Sequence, residues 1–83
     1  MESSLNQNFD VYDFATRLSD LVAATGKFQS DVAEEIGIAA PTLSRYCSAK
    51  QIPDLRVLLK LVDYFNVSLD WIVGIASDRF DTY

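Results

Sequence analysis

The side chains best equipped for chemistry lie close together: Thr42, Ser44, Arg45, Lys50, Gln51 and Arg56. They offer hydroxyls, an amide and positive charges, which suit hydrogen bonds to polar edges and contacts to anions. None is a nucleophile with a base at a useful spacing. The chain has no histidine, and its one cysteine, Cys47, has no second cysteine for a disulfide or a metal cluster. A glycine-rich phosphate loop and an evident carboxylate pair are also lacking. The residues point to recognition, not to an enzyme, and they imply no metal, no cofactor and no small-molecule ligand.

Charge sharpens that reading. The formal net charge is −5 and the pI is near 4.3, which argues against general stickiness towards polyanions. The distribution is uneven, however. Residues 38–60 carry Arg45, Lys50, Arg56 and Lys60 against Asp54, a net +3, whereas the remaining three cations face eleven acids, a net −8. The positive charge gathers around the residues named above.

The elements that must position them are all helical. Residues 1–9 are polar without periodicity and predict a flexible arm. Val11, Phe14, Leu18, Leu21 and Val22 mark an amphipathic first helix, capped by Asp10 and stopped at Gly26. A short second helix runs from about Gln29, with Val32, Ala33 and Ile36 inward, and closes at Gly37. The third starts near Ala40 with Pro41 in its first turn, where the missing N–H costs nothing. Leu43, Tyr46 and Cys47 form its inner face, which leaves Ala40, Pro41, Thr42, Ser44 and Arg45 outward around the first turns. Asp54 caps a fourth helix that is apolar nearly all round, with Arg56, Lys60 and Asp63 on one wet stripe; it is expected to be the central helix. Ser68 caps a fifth over "LDWIV", ended by Gly74, and residues 76–83 form a tail. The tail's Phe80 and Tyr83 either dock on a partner or lie in solvent. One domain over residues 10–75 follows, an all-α, compact five-helix unit with a helix-turn-helix at about 29–48.

Helices as short as the second and third persist only when docked on a larger core. A helix held out in this way has the width of the DNA major groove, and its first turn reaches base edges. At this point the segment from Phe14 to Gly74 resembles the phage-repressor-like (lambda repressor and Cro type) helix-turn-helix family. The matching pieces are "RLSDLVAATG", "FQSDVAEEIGI", "PTLSRYCSAKQIPD" and "LLKLVDYFNVSLDWIVG". They cover about three-quarters of the chain, and several spaced elements agree at once.

The resemblance implies roles residue by residue. Gln29 takes the place of the glutamine that binds a phosphate at the second helix's N-terminus, where free N–H groups and the helix dipole favour anions. Ala40, Pro41, Thr42, Ser44 and Arg45 occupy positions from which family members touch bases or nearby phosphates. Arg45 is the best candidate for a bidentate guanine contact, against the plainer reading of a solvated helix residue. The Thr42 methyl suits a thymine, though the residue also favours helix initiation. Lys50, Gln51 and Arg56 read equally as backbone contacts or as ordinary surface. Tyr46, Phe65 and Trp71 read as core or interface.

Some positions depart from the family pattern. Cys47-Ser48-Ala49 stands where Glu-Asn-Gly is common, and Val22 stands where an arginine often pairs with that glutamate. An apolar pair can replace a buried ion pair without loss, so Cys47 is expected to pack against Val22 in the core. Phe28 and Ala39 offer no side-chain cap to the helices they precede. With Ala40 and Pro41 on the reading helix, sequence discrimination would rest on few direct contacts plus DNA shape.

Together these features imply a sequence-specific regulator of transcription, most often a repressor in this family, acting on a double-stranded DNA operator. A module this small binds a half-site weakly, so a homodimer is expected, with Leu69, Trp71, Ile72 and Ile75 as interface candidates, Leu69 and Ile72 reading alternatively as core. The alternative is a helix-turn-helix adaptor or antirepressor that does not bind DNA, favoured by the −8 and by Ala40-Pro41. No apolar run is long enough to span a membrane, and "MESSLNQNFD" lacks the features of a signal peptide. A reducing cytoplasm, of a prokaryotic cell or phage-infected host and in association with the nucleoid, is the expected setting.

Overall fold

The structure is a computed structural model that describes residues 9–75. Residues 1–8 of the expected arm and the whole 76–83 tail, with Phe80 and Tyr83, lie outside the described residues. Five helices follow one another: α1 (Val11–Ala24), α2 (Gln29–Ile36), α3 (Ala40–Cys47), α4 (Leu55–Phe65) and α5 (Leu69–Val73). Among the described residues there is no strand.

Local chemistry sets the helix ends. Asp10 accepts the Tyr12 and Asp13 amides through Oδ1 at 3.0 and 3.2 Å, starting α1. Asp54 accepts the Val57 amide at 2.9 Å, and Ser68 accepts that of Trp71 at 3.1 Å. Phe28 and Ala39 make no side-chain cap, as their types require. Gly37, at φ 95°, ends α2; its amide and that of Ile38 both reach the Ala33 carbonyl, at 2.9 and 3.0 Å. Only a residue without a Cβ takes that left-handed conformation freely, so this glycine makes the tight turn into α3.

The core consists of Phe14, Leu18 and Val22 from α1, Val32 and Ala33 from α2, Leu43 and Tyr46 from α3, Leu61 from α4 and Ile72 from α5. Helix α1 packs against α2, α3 and α5, while α4 rests mainly on α2 and α5. The expectation of a central α4 is therefore corrected. Leu61 is its only fully buried residue, and Leu55 and Leu59 remain 64% and 49% exposed. Two neighbours cannot cover a helix that is apolar on nearly every side.

Three further expectations change. Phe9, assigned to the flexible arm, sets its ring 5.7 Å from that of Phe14. Ile72, a candidate for a partner surface, is wholly buried and belongs to the core, because the α5 face that carries it is needed to close the bundle. Cys47 is half-buried, packed against the core cluster at its edge. It lines a surface groove of about 300 Å³ between α1 and the end of α3, with Tyr12, Thr16, Ser19 and Ala49.

Beyond α3 the chain turns through Ala49, which takes a left-handed φ of 64° although it carries a side chain. The Lys50 amide closes this turn on the Arg45 carbonyl at 2.9 Å. The resemblance places glycine at this position, and the alanine is held there at a conformational cost.

Candidate nucleic-acid interface

Helix α3 has two distinct sides. Leu43 and Tyr46 are buried against α1 and α2, and the Ser19 hydroxyl donates to the Cys47 carbonyl at 3.1 Å, tying the end of α3 to α1. With that side locked, Pro41, Ser44 and Arg45 are exposed and Thr42 is half-exposed. Ala40 differs from expectation: it is half-buried and packs against the core, which limits its reach towards a partner. The other positions on this face point away from the bundle.

Arg45 is not loose. Its Nε donates to Gln51 Oε1 at 2.7 Å, and its Nη2 makes a longer contact to Thr42 Oγ1 at 3.4 Å. The sequence spacing of Arg45 and Gln51, six residues across a helix end, gives no hint of this contact; the turn at Ala49 creates it. Lys50 lies inside the same turn and is exposed, and Arg56 is exposed in the first turn of α4. Three cations are thus offered by α3, the turn after it and the start of α4.

Gln29 is half-buried at the first position of α2. No side chain caps this helix, so its first amides stay available to an anion, and the helix dipole adds to the attraction. Acid on α2 is partly neutralised. Glu35 accepts from Lys27 Nζ at 2.8 and 2.9 Å and also from the Tyr64 hydroxyl, which ties α2 to α4. These two donors, Lys27 first, hold the Glu35 carboxyl below its usual value; the same contact raises Lys27 and Tyr64. Asp31 and Glu34 are exposed on α2.

Elsewhere, burial pushes the Cys47 thiol up, with a Ser19 hydrogen bond opposing it, which favours the unreactive protonated form. The Arg17 guanidinium of α1 lies 5.6 Å from the Trp71 ring of α5 and also pairs with Asp13, while Trp71 and Ile75 are each 38% exposed. Leu69 is half-buried and packed against the core. The exposed stripe of Ile52, Leu55 and Leu59 is absent from the sequence reading, because periodicity shows that a helix is apolar without showing which side lacks a neighbour. Among the described residues no group of His, Cys, Asp and Glu could hold a metal ion, and no helix is long and apolar enough to cross a membrane.

Comparison with known proteins converges on this region. A family model described as helix-turn-helix matches residues 26–72, more than half of the chain. The cryptic phage CTXphi transcriptional repressor RstR of Vibrio cholerae serotype O1 is 33% identical over 58 residues, covering 70% of this chain and 52% of that protein. The HTH-type transcriptional regulator ImmR of Bacillus subtilis is 36% identical over 58 residues, covering 70% of this chain and 46% of its own. The chain spans about half the length of these curated relatives. In three dimensions it is similar to the solution structure of the SOS-response transcriptional repressor LexA from Eubacterium rectale. The TM-score is 0.72 at 27% identity, over 76% of this chain and 67% of that one.

Proposed function

The chain belongs to the helix-turn-helix family, and from that premise we propose that it binds double-stranded DNA as a transcriptional regulator of the repressor kind. Helix α3 enters the major groove. Thr42, Ser44 and Arg45 face base edges, while Pro41 and Ala40 set the close approach of its first turn. Gln29 and the uncapped start of α2 take one phosphate, and Lys50 and Arg56 take others. The observation that carries this reading is the division of α3: Leu43 and Tyr46 anchor it, and its opposite side presents a held guanidinium. The naming of RstR as a transcriptional repressor and of ImmR as a transcriptional regulator supports the regulatory part.

The active form in this reading is a homodimer on paired half-sites, because one such module makes few phosphate contacts. Trp71 on α5 and Ile75 just beyond it stay exposed, Leu69 lies at their edge, and Ile52, Leu55 and Leu59 offer a second apolar surface on and beside α4. Ile72 is no longer a candidate. The setting is the cytoplasm of a prokaryotic cell or of a phage-infected host, at the nucleoid.

The test is duplex binding across a salt series. Counterion release by Lys50 and Arg56 gives a log–log slope of about −1.8 per bound protomer, or ~12-fold weaker binding between about 50 and about 200 mM salt. A dimer doubles the slope. Absence of binding to random-sequence duplex at low salt would refute the reading and favour an adaptor that works through protein contacts alone.

A further inference from the structure

The contact between Arg45 and Gln51 has a direction as well as a distance. In a guanidinium, Nε–H and one hydrogen of Nη2 share an edge, and the outer hydrogens of Nη1 and Nη2 form a separate end-on fork. Arg45 gives Nε to Gln51 Oε1 at 2.7 Å and Nη2 to Thr42 Oγ1 at 3.4 Å. The Nε side of the guanidinium is therefore engaged inside the protein, with Nη2 more loosely held by Thr42. What remains for a partner is the fork, whose two parallel donors match the O6 and N7 acceptors of guanine.

Resting on the DNA-binding reading above, we infer that Gln51 is a positioning residue: it orients Arg45 so that the end-on fork meets a guanine in the half-site. The backbone makes this possible. The left-handed turn at Ala49, closed by the Lys50 amide on the Arg45 carbonyl, brings the residue after Lys50 back beside α3. The chemistry of an amide also fits the task. Gln51 supplies a neutral acceptor, so it orients the guanidinium without cancelling its charge, as a carboxylate would. It also keeps its own amide hydrogens for a nearby phosphate or base acceptor. Because Arg45 is ordered before DNA arrives, less rotamer freedom is lost on binding, and that gain is specific to the one geometry held.

The experiment uses the full chain with duplexes enriched by the wild type from a random-sequence pool. Gln51→Leu removes the acceptor at similar size, and Gln51→Glu keeps one. Gln51→Leu is expected to lower preference for guanine at one base pair by about five- to tenfold, while the salt slope stays that of the wild type. Gln51→Glu restores the preference, though it weakens binding to all duplexes through its charge. In an Arg45→Ala background, Gln51→Leu has no further effect on that base pair. In the free protein, the Arg45 Nε–H resonance is protected from exchange in the wild type and loses that protection in Gln51→Leu. Unchanged guanine preference in Gln51→Leu, or effects of the two substitutions that simply multiply, would overturn the inference. A wild type that binds no duplex overturns the DNA-binding reading first and this one with it.

Discussion

Ala49→Gly is the substitution whose effect follows most directly from the backbone. Ala49 sits at φ 64° in the turn between α3 and Lys50, a region where the Cβ of an L-residue crowds its own carbonyl. That crowding costs roughly 1–2 kcal/mol, and glycine escapes it. Two terms act against the gain. Glycine has more freedom to lose from the unfolded chain, about 0.4–1 kcal/mol. Ala49 is also half-buried beside the Cys47 groove, and losing a partly covered methyl costs a few tenths, as a fraction of the ~0.8 kcal/mol for a fully buried methylene. The balance is a stabilisation of about 0.5 kcal/mol, or a rise in Tm of roughly 2–4 °C for a domain of this size. Thermal unfolding by circular dichroism, paired with urea titrations of unchanged slope, measures it. Ala49→Val should move the other way and further, since a β-branched side chain is the worst guest in this region. If Ala49→Gly leaves Tm unchanged or lowers it, the turn does not carry the strain that its φ implies.

Other outcomes follow from the site and its surroundings. Arg45→Ala should relax base preference with a loss of ~1–3 kcal/mol of discrimination, whereas Lys50→Ala should weaken all duplexes alike and reduce the salt slope by about 0.9, both read by fluorescence anisotropy. The Glu35 contribution to stability is present above the usual carboxylate value of 4.5 and is lost as pH falls through its lowered folded value. Those of Lys27 and Tyr64 are present below 10.5 and 10.0 and are lost as pH rises through their raised values. Glu35→Gln should therefore flatten both limbs of the stability profile in denaturant titrations at each pH. Cys47 should react with a thiol reagent more slowly in the native protein than in denaturant; equal rates would show that the thiol is not sheltered. Sedimentation equilibrium should find a dimer, and comparing Ile75→Glu with a Leu55→Glu, Leu59→Glu double variant shows which surface forms it; a monomeric wild type would remove the dimer altogether.

Much of the fold was legible residue by residue. Asp10, Asp54 and Ser68 accept amides within three residues of themselves, Pro41 suits only a first turn, and Gly37 ends α2 by a conformation that other residues resist. Each of these acts over a few bonds, so the five helices could be bounded without knowing how they pack. The candidate reading face was legible for the same reason, since Leu43 and Tyr46 mark the opposite side of a short helix. Burial is different in kind, because it depends on which distant segments happen to cover a face. Helix α4 looked central from its apolar content, yet only the tertiary structure decides that Leu55 and Leu59 stay exposed while Ile72 of α5 is sealed inside. It also decides that Cys47 stops at the edge of the core, and that a turn through Ala49 places Gln51 against Arg45. Caps and turns are set by local bonds and can be read in order along the chain. The packing of a helix face and the aim of a guanidinium arise from contacts between segments, and only the folded chain brings those segments together.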